Sequence, residues 1–127
     1  MEKFRHSIRN KKTRIAIVGF GYIGICIGAV IAKKGYTVVG IDTNKKIVDM
    51  INNHICPIEE PGLESIISDK SVEISASTDY SQIVGCDVII ITVGTPLDPN
   101  FRPNNDHIKS AVTSICDFLE EDQLLIL

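Results

Sequence analysis

The sequence predicts a doubly wound α/β domain, an open sheet of parallel strands with helices on both faces. Three observations carry that reading. Short β-branched runs alternate with stretches of helical periodicity along almost the whole chain. The run Asp87–Val93 (DVIIITV) is apolar at consecutive positions, as befits a strand covered on both faces of a parallel sheet. A glycine-rich turn, Gly19–Gly24, joins the first such run to the first helical stretch. With 127 residues, 44% of them hydrophobic and 23% charged, the chain has the size and composition of one globular domain and not of a disordered or fibrous segment.

Residues 1–13 read as a basic flexible leader and residues 14–127 as the folded domain. Six basic groups (Lys3, Arg5, Arg9, Lys11, Lys12, Arg14) face one acid, Glu2, in the first fourteen residues; thereafter seven basic groups stand against fifteen acidic ones. Such an arm can touch an anionic surface. With one aromatic, Phe4, and no recognisable nucleic-acid motif, it reads instead as solvated chain, and no nucleic-acid partner is expected. Arg14–Gly19 (RIAIVG) is the first strand. Tyr22–Lys34 places Ile23, Ile27, Val30 and Ile31 at helical spacing, and Gly35 suits the left-handed residue that ends a helix. Thr37–Asp42 (TVVGID) is the second strand, and Asn44–Asn53, with Ile47, Val48 and Ile51 in one stripe, the second helix.

His54–Gly62, with Pro57 and Pro61, is a loop leading into a short helix around Leu63–Ser68. Val72–Ser75 reads as a short strand and Ser81–Val84 as a helical turn. After the strand Asp87–Val93 comes a loop, Gly94–Arg102, rich in proline and in turn-forming asparagine and aspartate. Ile108, Ala111, Val112, Ile115 and Leu119 then mark an amphipathic helix over Asp106–Glu120, and Gln123–Leu127 begins another strand. The alternation predicts the strand order 3-2-1-4-5.

Gly19-Phe20-Gly21-Tyr22-Ile23-Gly24 has the spacing G-x-G-x-x-G, between a predicted strand and a predicted helix. In that context each glycine has a physical task. Gly19 permits the tight turn, Gly21 lets the backbone approach a pyrophosphate, and Gly24 lets helix and strand pack closely. Amides at the helix start, with the positive end of its dipole, hold phosphates. Asp42, eighteen residues after Gly24, ends the next strand and suits two ribose hydroxyls while repelling a 2′-phosphate. NAD is the expected cofactor, favoured over NADP, with Lys45 and Lys46 acting against that preference. Asp42 also suits a helix cap before Thr43 and Asn44, and Gly28 reads as a packing glycine.

Beyond this turn the chain resembles the nucleotide-sugar 6-dehydrogenases, the UDP-glucose and GDP-mannose dehydrogenase family. The residues that carry the resemblance are Val18–Gly24 (VGFGYIG), Val39–Asp42 (VGID), Pro57–Leu63 (PIEEPGL), Thr78-Asp79 and Asp87–Leu97 (DVIIITVGTPL), in the family's order. The resemblance implies a Rossmann-like NAD-binding domain, truncated within its later strands. It implies oxidation of a UDP-sugar C6 alcohol to the uronic acid with two NAD. The nucleotide sugar would be bound through a missing C-terminal part.

Cofactor-binding residues implied in this way are Gly19, Gly21, Tyr22, Ile23, Gly24, Asp42, Lys46, Gly94 and Thr95. Ile23 backs the cofactor, Thr95 lies beside its pyrophosphate or nicotinamide half, and Glu60 is near the cleft. Glu60 and Glu64 equally suit a charged first turn of a helix. Two positions depart from the pattern. Ile47 stands where many relatives carry a basic residue, with Lys46 one place early, and Asn104 stands where relatives tend to have aspartate. The family's catalytic cysteine and its supporting residues belong to segments this chain does not contain. No catalytic residue is therefore expected here, and the fragment alone is expected to be inactive. A stand-alone NAD-binding module remains the alternative, and the sugar is not determined.

Cys26, Cys56, Cys86 and Cys116 form no C-x-x-C pair and read as free thiols, with Cys56, in a loop, the exposed one. His6, His54 and His107 are too scattered for a metal site and read as solvated surface. The acidic segment Asp117–Asp122 reads as a solvated helix end. No run approaches the length of a membrane span and no signal peptide is evident, so a cytoplasmic protein is expected. Self-association through an unpaired C-terminal strand is expected as well.

Overall fold

Strands β1 (Arg14–Val18), β2 (Thr37–Ile41), β3 (Ile74–Ser77), β4 (Val88–Ile91) and β5 (Leu124–Ile126) form one parallel sheet in the order β3-β2-β1-β4-β5. This is the expected order. The computed structural model describes residues 2–10 and 12–127. Its helices are α1 (Glu2–Arg9), α2 (Tyr22–Lys33), α3 (Lys45–Asn52), α4 (Leu63–Ile67) and α5 (Asp106–Cys116), with one short helical turn at Tyr80–Ile83.

Period-two alternation along the strands divides the core into two layers. Ile15, Ile17, Val38 and Val88 pack on one face with Ile25, Ala29, Val48, Ile51, Leu63 and Ile67 from α2, α3 and α4. Ala16, Val18, Val39, Ile41, Ile89 and Ile91 pack on the other with Ile83, Ala111 and Ile115. Register pairs Val18 with both Ile41 and Ile91, so the C-terminal ends of the three central strands lie side by side.

The stripe that announces α2 in the sequence is not the face it buries. Ile23 and Val30 are 59% and 55% exposed, whereas Gly24, Ile25, Gly28, Ala29 and Ala32 face the sheet. The reason is Phe20, which is fully buried. A Cβ at Gly40 of β2 would lie 2.3 Å from its ring, and one at Gly28 would lie 2.9 Å from it. The ring fills the space that a side chain at Gly28 would otherwise claim, which leaves α2 without one there. Gly28 is thereby the packing glycine expected. Gly35, at φ +93°, follows the helix in the left-handed conformation.

Other boundaries shift. α5 ends at Cys116 with Asp117 as its C-cap instead of running to Glu120. Acids in the last turn oppose the helix dipole, which favours termination there. β3 starts two residues later than Val72, and the strand in Asp87–Val93 is limited to Val88–Ile91. The loop after β4 carries an antiparallel bridge between Leu97 and Pro103. The expected flexible leader is helical over Glu2–Arg9; Met1 and Lys11 lie outside the described residues. Tyr36 Oη donates to the Ile8 carbonyl at 3.2 Å, and Thr13, nearly fully buried, has its Oγ1 3.2 Å from Ser7 Oγ. No helix among the described residues is long and apolar enough to cross a membrane.

Candidate functional site

Parallel sheets leave their ligand crevice at the C-terminal strand ends, beside the point where the chain reverses its direction of winding. Here that point lies between β1 and β4. A cleft of about 320 Å³ opens there, lined by Gly19 and Gly21 after β1, Ile41 to Thr43 at the end of β2, Thr92 to Gly94 after β4, and Tyr80, His107, Ser110 and Ala111 across from them.

The three glycines of the turn separate by what surrounds them. Gly19 sits at φ +89°, and a Cβ on it would approach Val93 Cγ1 to 2.7 Å. A Cβ on Gly24 would lie 2.4 Å from the Gly19 carbonyl oxygen and 2.8 Å from Thr92 Oγ1. Both are required by the protein's own packing. Around Gly21 nothing lies within 4 Å of an added Cβ, and its φ of −81° is open to any residue. The fold does not demand glycine at Gly21. Gly21 is also the N-cap of α2 and offers no side chain to the first-turn amides, while the Ile25 amide is the one that reaches back to the Gly21 carbonyl. The amides of Tyr22, Ile23 and Gly24 thus precede the internal ladder and suit an anion. This cradle fits a dinucleotide pyrophosphate.

Asp42 is half-buried at the cleft's far end. Its Oδ1 accepts from the Asn44 amide at 2.8 Å, and Asn44, not Asp42, is the N-cap of α3, accepting from the Lys46 amide at 3.1 Å. One carboxylate oxygen is thus held by the backbone, and Oδ2 makes no hydrogen bond among the described residues. Thr92 ties the two sides of the turn together: its Oγ1 donates to the Gly19 carbonyl at 2.6 Å, and its amide donates to the Val18 carbonyl at 2.8 Å.

Of the residues expected at the site, Gly19, Gly21, Asp42 and Gly94 line the cleft, and Gly24 lies directly beneath it as a packing position. Tyr22, Ile23, Lys46 and Thr95 are exposed and stand outside its lining. Sequence reasoning missed Thr92, Tyr80, His107 and Ser110. His107, read as plain surface, is exposed but lies on the cleft wall, its Nδ1 3.2 Å from the Gly94 carbonyl. Proximity of the loop after β4 to the start of α5 had no sequence signal beyond the turn residues between them. His54 is half-buried with Nδ1 3.2 Å from the Ile67 carbonyl.

Glu60 does not line this cleft. It accepts a short hydrogen bond from Tyr22 Oη and borders a second basin of about 950 Å³ formed by residues of the His54–Ser68 segment. Its carboxylate holds the Tyr22 hydroxyl above a tyrosine's ordinary value, chiefly through that hydrogen bond. Burial raises the Cys26 and Cys86 thiols. The exposed cysteine is Cys116, at the end of α5, whereas Cys56 is half-buried with its Sγ 3.1 Å from the Ile58 carbonyl. Among the described residues, no three histidines, cysteines or acids gather as a metal site would require.

The model of the UDP-glucose/GDP-mannose dehydrogenase family, NAD binding domain, matches residues 13–127. The chain belongs to that family. It is 34% identical over 121 residues to a UDP-N-acetyl-D-mannosamine dehydrogenase of Methanococcus maripaludis, covering 89% of this chain and 27% of the relative. It is 34% identical over 105 residues to a GDP-mannose 6-dehydrogenase of Pseudomonas savastanoi, covering 80% and 24%. The crystal structure of a ternary complex of GDP-mannose dehydrogenase from Pseudomonas aeruginosa superposes with a TM-score of 0.81 at 32% identity, over 86% of this chain and 26% of that one. The chain thus spans about a quarter of the length of these relatives. It corresponds to the NAD-binding domain of nucleotide-sugar dehydrogenases, and NAD is its cofactor.

Proposed function

We propose that this chain holds NAD for a nucleotide-sugar 6-dehydrogenase that oxidises the C6 alcohol of a UDP-sugar to the uronic acid, consuming two NAD and working in the cytoplasm. The observation that carries the cofactor half is the contrast at the turn: Gly19 and Gly24 are filled positions, and Gly21 is an open one above the uncapped start of α2. The bound cofactor supplies a hydride acceptor. The amides of Tyr22, Ile23 and Gly24 bind its pyrophosphate, Gly21 admits it, and Asp42 selects an unphosphorylated ribose. Thr92 keeps the turn against β4, and Gly94 and Thr95 carry the wall toward the nicotinamide half. Lys46, one turn beyond Asp42, adds positive charge at the adenosine end. The sugar half of the reaction uses residues outside these 127.

Calorimetric titration with NAD and with NADP tests the first half, and an assay for NADH formation with UDP-glucose tests the second. Weak binding, tighter for NAD than for NADP, with no turnover by the chain alone, is the expected result. Equal affinity for the two dinucleotides would remove the role given to Asp42, and turnover by the chain alone would place catalytic groups within it.

A further inference from the structure

Tyr22 is the first residue of α2, directly after Gly21, and its side chain is 54% exposed. Burial alone does not hold such a ring. Its hydroxyl donates to Glu60, thirty-eight residues further along the chain. The segment that bears Glu60 is fixed at both ends. His54 meets the Ile67 carbonyl, Cys56 and Ile58 pack on the core layer that also holds Cys26 of α2, and Leu63 is buried with its amide bonded to the Glu60 carbonyl at 3.0 Å. Among the described residues, Tyr22–Glu60 is the one side-chain hydrogen bond between this segment and α2, and the one ion pair lies elsewhere, between Lys45 and Asp49. Glu60 therefore directs its charge at a phenol, a charge-assisted bond of the stronger kind.

The location gives the bond a task. Gly21, unlike Gly19 and Gly24, has nothing packed against the position of a side chain, and α2 begins there without a side-chain cap. A helix end in that condition frays. We propose that the Tyr22–Glu60 hydrogen bond is a latch that pins the first turn of α2 to the His54–Gly62 loop and preorganises its amides for the pyrophosphate, Tyr22 and Glu60 acting as positioning residues. Glu60 stands outside the cleft, so the latch puts a carboxylate near the positive end of α2 without placing it in the phosphate's path. The inference rests on the dinucleotide reading of the cleft.

Tyr22→Phe, Glu60→Gln and the double variant of the chain, titrated with NAD by calorimetry, test it together with alkaline absorbance titration of the tyrosines. Each single variant is expected to bind NAD about three- to tenfold more weakly, as loss of one net hydrogen bond implies. The double variant should be no weaker than either. In the titration, one tyrosine ionising above the ordinary range should be absent from Tyr22→Phe and should move down in Glu60→Gln, a change that a general loss of stability would not produce. If the parent binds NAD and the single variants bind it equally well, or if their losses add in the double variant, the latch is overturned while the cofactor reading stands. If the parent itself fails to bind NAD, both fall.

Discussion

β1 and β5 flank the same strand, β4, and are opposites in every other respect. After Arg14 every residue of β1 is buried, and it is hydrogen-bonded on both edges. All three residues of β5 are exposed, with one neighbour. The phosphate turn grows from the first strand, whereas the wall bearing His107 and Ser110 belongs to the helix that leads to the second. The difference teaches that a cleft at the strand ends depends on the central strands and not on the outer one: the glycine turn follows β1 directly, and the opposite wall is anchored by Ala111 and Ile115 on the core layer of β1 and β4, while β5 contributes no lining residue.

The hardest blow to the β1 side is Gly24→Ala. Its methyl would meet backbone and the Thr92 hydroxyl, with no flexible neighbour to yield, and a loss of about 3 kcal/mol is expected in denaturant unfolding. Gly21→Ala, with open space around it, should leave the unfolding midpoint in place and weaken NAD binding, so the pair separates packing from ligand contact at two glycines three residues apart. Hydrogen exchange should show the asymmetry directly, with amides of β5 exchanging about a hundredfold faster than those of β1. Equal protection would erase the comparison.

Asp42→Ala comes next. NAD binding should fall by about tenfold through loss of a charge-assisted contact, while stability changes little because Asn44 keeps its role as the cap of α3. The smallest effect is acid dependence at the turn that carries Tyr80. Ser81 hydrogen bonds hold the Asp79 carboxyl below its ordinary value of 3.8. A carboxylate whose folded value is lowered stabilises fully above the unfolded value, and that stabilisation is lost as pH falls through the folded one. Melting curves between pH 5 and about 2 should therefore decline less steeply for Asp79→Ala than for the parent.

The sheet order was legible because alternation of strand and helix runs leaves few topologies for a chain of this length, and the turn was legible because its glycines stand between a strand and a helix. What stayed hidden had physical reasons. Helical spacing reports that Ile23, Ile27 and Val30 share a face, but not which way that face points; only the position of Phe20 decides it. Acidic residues after Cys116 were visible, yet the apolar Leu119 extended the apparent helix past them. Tyr80 and His107 reach the cleft from elements that meet only in space, so no local pattern betrays them. The family pattern points to Glu60, but Tyr22 lies thirty-eight residues away and no local pattern pairs the two.

Phe20 occupies one of the unspecified positions of the G-x-G-x-x-G pattern, yet its ring rests on Gly28 and Gly40, which lie outside that pattern. The three residues share a single volume. A change at any one of them is a change in how that volume is divided, so Phe20→Ala should be tolerated better in a chain that also carries Gly40→Ala than in one that does not. Across the family, residues 20, 28 and 40 should then exchange bulk with one another, a correlation that links the ligand turn to the core through size alone.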